Sequence, residues 1–421
     1  MLDLKKIISE TELVKKKLAT RGVEISSIDK IVKFSKERSK LMTQLQELEA
    51  KRNKISKIIG QLKLSKEDAV NELQEVSEIK SQIDKIKSLE VGVNEEIKQL
   101  LLFIPNIPSD RVPVGETESE NILIKENYKI GRGKVSGVKS HYDIATELDI
   151  VDFERSVKIS GARFWSYKGD GSRLVRALEN FMLDTHTKKG YIEWRPPVIV
   201  KSEIMQGTGQ LPKFGNDLFK LEGMDSYLIP TAEVPLTNLH NGEIINLTNP
   251  IAYTAFTLCF RAEAGSGGKD MKGLIRAHQF NKVELVKFIK KEDVELEFTK
   301  TVLDAKGILE DLELPYQELQ LCTGDIGFSS ENTIDLEVWI PSENRYREVS
   351  SVSSFGDFQG RRAGIRYKNS SGKNQPAYTI NGSALAIDRV VAAILENYQN
   401  QDGSITVPKV LVKYMGKELI K

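Results

Sequence analysis

Two cysteines, Cys259 and Cys322, are all that 421 residues contain. That excludes a disulfide framework and fits a reducing compartment. An excess of one charge is also missing: 61 Lys and Arg stand against 60 Asp and Glu, a net charge of +1. Any footprint for nucleic acid must therefore be local. No apolar run approaches a membrane span. The opening MLDLKKIISE has no apolar core leading to a cleavage site. These absences predict a cytoplasmic protein with no membrane partner. No internal repeat or low-complexity tract is visible. The length predicts two or more domains, and 29% charged with 40% hydrophobic residues is a globular composition.

Proline is absent, and glycine nearly so, from about residue 28 to 102. Phe34, Leu41, Leu45, Leu48, Ile55, Ile59 and Leu62 recur at spacings of three, four or seven, with Arg38 and Arg52 in the missing slots. This is a coiled-coil seam. Ser65 is expected to cap a second helix with an acidic first turn. That helix has its own seam of Val76, Ile79, Ile83, Ile86, Val93, Ile97 and Leu100. Joined by a short turn, the two must lie antiparallel, each about 35 residues and roughly 50 Å long. The first helix is rich in lysine and the second in glutamate. Opposite charge could hold the pair in register. Alternatively the basic helix, with Lys51, Arg52, Lys54 and Lys57, tracks a phosphate backbone. FIPNIPSDRVPVG, with Pro105, Pro108 and Pro113, stops the helix and forms a linker. The expected domains are 1–103 with an arm over about 28–102, a linker over 104–115, and a mixed helix and strand domain over 116–421.

That second domain holds all three tryptophans and several polar clusters. In FRAEAGSGGKDMKGLIRAHQFNKVE, strand alternation would put Arg261 with Glu263, and Arg276 with Phe280 and Glu284, on common faces. An arginine fork fits phosphate, a phenylalanine offers a flat surface to a purine, and a glutamate accepts from an amine. The set suits a nucleoside triphosphate beside an amino acid. A solvated hairpin with cross-strand ion pairs is the bland reading. The glycine-rich GSGGKD is not a P-loop, because its spacing is wrong. RYREVSSVSS puts Glu348 and Ser351 at a strand end, where they could hold a metal on phosphates. In YTINGSALAIDRVV, small Gly382, Ser383 and Ala384 would let a ligand approach the backbone, with a helix starting near Arg389. YLIPTAEVPL puts Thr231 and Glu233 on one face around Ala232. His278 is expected to be structural.

GYIEWRPPVIV, the FRAE…NKVE stretch and NGSALAIDR resemble motifs 1, 2 and 3 of class II aminoacyl-tRNA synthetases. PTAEVPL, CTGDIGF, DLEVWIP and REVSS resemble the seryl-tRNA synthetases within that class, as does the order of arm, linker and catalytic part. The resemblance spans nearly the whole chain. It implies an α+β fold: an N-terminal antiparallel two-helix coiled-coil arm, then a catalytic domain built on an antiparallel sheet flanked by helices. It implies serine activation with ATP and Mg²⁺, then transfer to the 3′ end of tRNA(Ser), and to tRNA(Sec) where present.

By position, it implies that Arg261, Arg276, Arg389 and Glu348 carry the chemistry. Thr231, Ala232, Glu233, Arg261, Glu284 and Ser383 would bind serine. Arg261, Ala262, Glu263, Arg276, Phe280, Glu348, Val349, Ser350, Ser351 and Arg389 would bind ATP, with Glu348 and Ser351 holding Mg²⁺. Lys51, Arg52, Lys54 and Lys57 would meet tRNA, and Pro197 would sit at a homodimer interface. A zinc-bearing branch uses Cys and Glu ligands; with Cys259 and Cys322 well apart, no zinc is expected. An amino acid:carrier-protein ligase is the alternative, but those lack a full arm. A coiled-coil scaffold with a dead catalytic domain would have lost Arg261, Glu263 or Arg389, and all three are present.

Overall fold

A computed structural model describes residues 1–265 and 272–421. The chain divides into two compact units, Leu2–Ile104 and Pro105–Lys421, Met1 belonging to the second.

Two helices dominate the first unit: α1 (Ser26–Ser65) and α2 (Val70–Phe103). Forty residues make α1 about 60 Å long. The seams meet as their spacing requires, with Ile55, Ile59, Ile79 and Ile83 buried and Leu45, Leu48, Leu62 and Val76 packed around them. Arg38 reaches across to Asn94 Oδ1 (3.4 Å). Opposite charges do pair, Lys51 with Glu75 at 2.7 Å and Lys87 with Glu49 at 3.6 Å. Both pairs are about half exposed and contribute about 0–1 kcal/mol each. The apolar seam therefore sets the register.

The turn differs from expectation. Ser65 ends α1 and caps nothing after it. Lys66, at φ 58°, closes the helix in the left-handed region, and Glu67 N donates back to Leu62 O. This is a Schellman-type stop. Asp68 takes the capping part, accepting from Val70 N at 3.1 Å. Two acidic residues after a left-handed turn leave the helix signal to the second of them.

In the second unit, eight of the described strands form one sheet. They are β1 (Ile122–Asn127), β2 (Ile192–Glu193), β3 (Ile251–Phe260), β4 (Gln279–Ile289), β5 (Tyr316–Gln320), β6 (Asn332–Ile340), β7 (Arg345–Gly356) and β8 (Tyr378–Ala386). Their order is β1-β5-β6-β7-β8-β4-β3-β2. Neighbours run antiparallel except β2 with β3. Helices α3 (Gly169–Lys188), α4 (Val294–Asp311) and α5 (Ile387–Asn397) cover one face. Leu174, Leu178 and Met182, Val302 and Ile308, and Val390 and Ile394 pack there on Val283, Leu285, Leu336, Val338, Val352 and Ile380.

Strand β4 shows how the sheet places a site. Its odd positions Val283 and Leu285 join this core, whereas Val286 and Phe288 join a second cluster on the other face. The even face thus reads Phe280, Lys282, Glu284, Val286, Phe288, passing from polar to apolar along one strand. Among the described residues no helix is long and apolar enough to cross a membrane.

Candidate active site

Strand β3 ends at Phe260 and β4 begins at Gln279, so the alternation expected for 261–263 and 276–278 does not extend that far. Glu263 has φ 51°, a left-handed conformation that cannot continue a pleat. Convergence is reached by another route. Arg261, Glu263, Arg276 and Phe280 all line one cavity of about 230 Å³, together with Lys282, Glu348, Val349, Ser383 and Arg389. The Arg261 guanidinium lies 5.1 Å from the Phe280 ring centroid. Arg276 donates to Glu263 Oε2 at 2.7 Å. At the hairpin mouth Arg261 N donates to His278 O, and His278 Nδ1 donates to Arg261 O, both at 3.0 Å. His278 fastens the backbone that carries Arg261. Most of the GSGGKD segment lies outside the described residues.

A second wall comes from β7, where Glu348 and Ser351 sit inside the strand and not at its end. Three residues apart, they should face opposite sides. The register corrects this: Ser351 pairs with Asp335, Ser350 with Leu336, then Glu348 with Glu337, leaving Val349 as a bulge. The extra residue turns Glu348 onto the face of Ser351. Asp335, Glu337, Glu348 and Ser351 therefore line a cavity of about 580 Å³, which shares Ile275, Arg276, Glu348 and Arg389 with the first. Arg389 bridges the two walls, donating to Glu348 O at 2.5 Å and to Ile275 O at 3.0 Å.

Deeper in, two carboxylates lie buried. Glu284 is fully buried and forms an ion pair with Lys282 at 2.6 Å. It also accepts from Asn381 Nδ2 at 3.0 Å and from Thr231 Oγ1 at 3.3 Å. Glu233 is 7% exposed and accepts from Gln359 Nε2 at 2.6 Å. Gln359 is held in turn by Thr379 Oγ1 at 2.7 Å. Burial, then the charge of Glu284, pushes the Glu233 carboxyl up to about 7, against the pull of Gln359, Lys282 and Arg261.

A domain model for the tRNA synthetase class II core (G, H, P, S and T) matches residues 219–398, and one for the seryl-tRNA synthetase N-terminal domain matches residues 1–108. A serine–tRNA ligase of Metamycoplasma arthritidis is 56% identical over 99% of this chain and 98% of its own. One from Mycoplasma mobile is 54% identical over the whole of both. The chain belongs to the serine–tRNA ligase family. The fold agrees: the crystal structure of seryl-tRNA synthetase from Pyrococcus horikoshii complexed with ATP superposes with a TM-score of 0.94. That match covers 100% of this chain and 99% of that one at 34% identity.

Within this family fold, the remaining expected residues fall in distinct places. Ser383 reaches the first cavity, but Gly382 and Ala384 do not. A Cβ on Gly382 would lie 3.0 Å from Val352 Cγ2, and Ala384 is fully buried. Their small size serves packing and not ligand approach. Ser350 is buried and donates to Ser383 O at 2.5 Å, behind the wall that Val349 presents. Ala262 N donates to Asp217 O at 2.9 Å. Ala232 is fully buried beneath Thr231 and Glu233. Pro197 is exposed, near exposed Ile192, Trp194 and Ile199. On the arm Lys51, Lys54 and Lys57 are exposed and Arg52 half-buried. Sequence reasoning missed Lys282, Asn381 and Gln359. Lys282 had a signal, since it shares the strand face of Phe280 and Glu284; Asn381 and Gln359 had none.

Proposed function

We infer that this chain is a serine–tRNA ligase. It joins L-serine and ATP as seryl-adenylate, then passes serine to the 3′ end of tRNA(Ser). The observation that carries this reading is one cavity where Arg261, Arg276 and Arg389 converge beside Phe280 and above two buried carboxylates. The serine carboxylate is ionised at neutral pH and needs no base. Its oxygen bonds to the α-phosphorus as the bond to pyrophosphate breaks, and pyrophosphate leaves with the electron pair. The chain supplies position and fixed positive charge: Arg261 toward the carboxylate and α-phosphate, Arg276 and Arg389 toward the outer phosphates. Phe280 supports the adenine and Glu263 accepts from its amine. A hydroxyl of the terminal tRNA adenosine then displaces AMP from the acyl carbon.

Glu348 and Ser351 fit a Mg²⁺ ion on the phosphates. Their shared face also carries Asp335, whose buried Oδ1 has no hydrogen-bond partner. Burial and the charge of Glu348 push the Asp335 carboxyl well above the usual range, a cost that a cation would relieve. Such an ion would neutralise phosphate charge as the leaving group departs.

The deciding measurement is ATP–pyrophosphate exchange with each of the twenty amino acids. Serine should give the strongest exchange, and Arg261→Ala should lower it by about 10²-fold or more. Strongest exchange with threonine, alanine or glycine would overturn the substrate assignment.

The serine pocket has a pH signature. Serine brings a carboxylate, matched by Arg261, and an ammonium. The charge of Glu284 is already matched by Lys282, so the ammonium draws on Glu233. That carboxyl, near 7, is neutral below this pH and must release its proton for serine to bind. KM for serine should thus rise by about tenfold per pH unit below 7 and level off above it. In Glu233→Gln it should be high and flat; a wild-type KM independent of pH from 5.5 to 8 would exclude this role.

The arm is read as the tRNA-binding element, through its exposed lysines. Reversing Lys54 and Lys57 to Glu should weaken binding of tRNA(Ser) and reduce its salt slope by about two units, near one per lost phosphate contact. Affinity titrations at several salt concentrations, with helicity followed in parallel, check this. An unchanged slope in a folded variant would leave the basic helix a structural feature. The exposed apolar strip around Pro197 is read as a C2 dimer interface. Sedimentation should give a dimer at assay concentration, and an active monomer would refute it.

A further inference from the structure

We propose that His141 is a positioning residue for ATP, fixing the backbone that presents Arg276. The proposal rests on the reading of the cavity as an ATP site. His141 is 4% exposed and opens a short helix, His141–Glu147. Its Nδ1 lies 2.6 Å from Glu396 Oε1 and its Nε2 accepts from the backbone N–H of Leu274 at 3.1 Å. An amide N–H can only donate, so Nε2 is unprotonated and Nδ1 carries the proton that Glu396 accepts. A single neutral tautomer satisfies both contacts. Glu396 is fully buried and also accepts from His141 N, Ser342 N and Ser342 Oγ, each at 2.8 Å.

Two further observations point the same way. Gly273 has φ 86°, and a Cβ there would lie 2.2 Å from His141 Nε2, so the chain is pressed against the imidazole. On the far side of Leu274, Ile275 O accepts from Arg389 Nε at 3.0 Å. Arg389 and Glu396 lie seven residues apart on α5, about two turns, and so share a face. One helix thereby grips two successive residues: Ile275 through its carbonyl directly, and Leu274 through its N–H by way of His141. Arg276 is the next residue, on the cavity wall. Without the imidazole acceptor, the buried Leu274 N–H must find another partner, and the chain shifts ahead of Arg276.

Two variants of the full chain separate this role from packing. In His141→Asn the amide falls near the place of Nδ1, keeping the donor to Glu396 and losing the acceptor for Leu274. In His141→Gln an oxygen reaches the place of Nε2, keeping that acceptor. Serine-dependent exchange and thermal unfolding are measured on both. For folded His141→Asn, KM for ATP should rise about tenfold, with KM for serine within about twofold. His141→Gln should keep KM for ATP within about threefold, even with a lower unfolding midpoint. Should His141→Asn not fold, Gly273→Ala, whose Cβ would force the imidazole and the Leu274 backbone apart, should raise KM for ATP in the same way. An unchanged KM for ATP in the folded Asn or Ala variant, or equal rises in the Asn and Gln variants, would overturn the proposal. A wild-type chain with no serine-dependent exchange would instead overturn the reading of the site.

Discussion

Helix α5 is buried at every position from Ile387 to Asn397 except Arg389, yet four of its side chains are polar. Buried polar groups must find partners or cost about 1–3 kcal/mol each. Asp388 accepts from Asn281 N at 2.6 Å and from Tyr167 OH at 2.7 Å. Asn397 donates to Trp339 O at 2.9 Å. Glu396 takes four donors, His141 among them, and Arg389 reaches Ile275 and Glu348. The need to satisfy these groups ties β4, the stretch entering it, the turn after β6 and β7 to one rigid element. That demand helps set Arg276 and Arg389 on one cavity, which Arg261 reaches from the end of β3.

The opposite wall depends on a single extra residue. Without the bulge at Val349, Glu348 would face away from Ser351 and Asp335, and the polar floor would split between two faces of the sheet. The bulge also places Val349 on the lining of the first cavity, though its side chain is buried in the core, while Ser350 donates to Ser383 O. A local irregularity in pairing thus sets four positions at once. Its cost is one unpaired ladder position in the part of β7 that pairs with β6 alone, since β8 pairs with β7 only from Val352 onward.

Periodicity made the arm legible, because a heptad seam is a local pattern with one geometric solution. The motif residues were legible because polar and small side chains in fixed spacing resemble a known family. What escaped depended on backbone detail or distance. Ser65 looked like a cap, but a left-handed Lys66 handed that part to Asp68. Glu348 and Ser351 looked like a strand end, since a bulge leaves no mark in one strand's sequence. Gly382 and Ala384 looked like ligand approach, but they answer to Val352 and the core. His141 meets Glu396 across 255 positions and Leu274 across 133, and Gln359 meets Glu233 across 126. No periodicity links such pairs. Only the folded sheet brings them together.

The two deep carboxylates illustrate how burial divides labour between like groups. Glu284 and Glu233 are both nearly inaccessible, and the charge of Glu284 opposes ionisation of Glu233. Lys282, two positions from Glu284 on the same strand face, forms an ion pair with that carboxylate. Asn381 and Thr231 donate to the Glu284 oxygens as well. Glu233 has a neutral amide as its side-chain partner, which orients it without offsetting a charge. A second bare anion at this depth would cost several kcal/mol, and burial with the charge of Glu284 raises the Glu233 carboxyl to about 7. In the proposed serine pocket, an arriving ammonium would supply the missing positive charge as the Glu233 proton leaves, so the Glu233 end would stay neutral before and after, while the serine carboxylate would offset Arg261. Under that reading the site would take a cation deep in the protein without burying an unmatched carboxylate at Glu233.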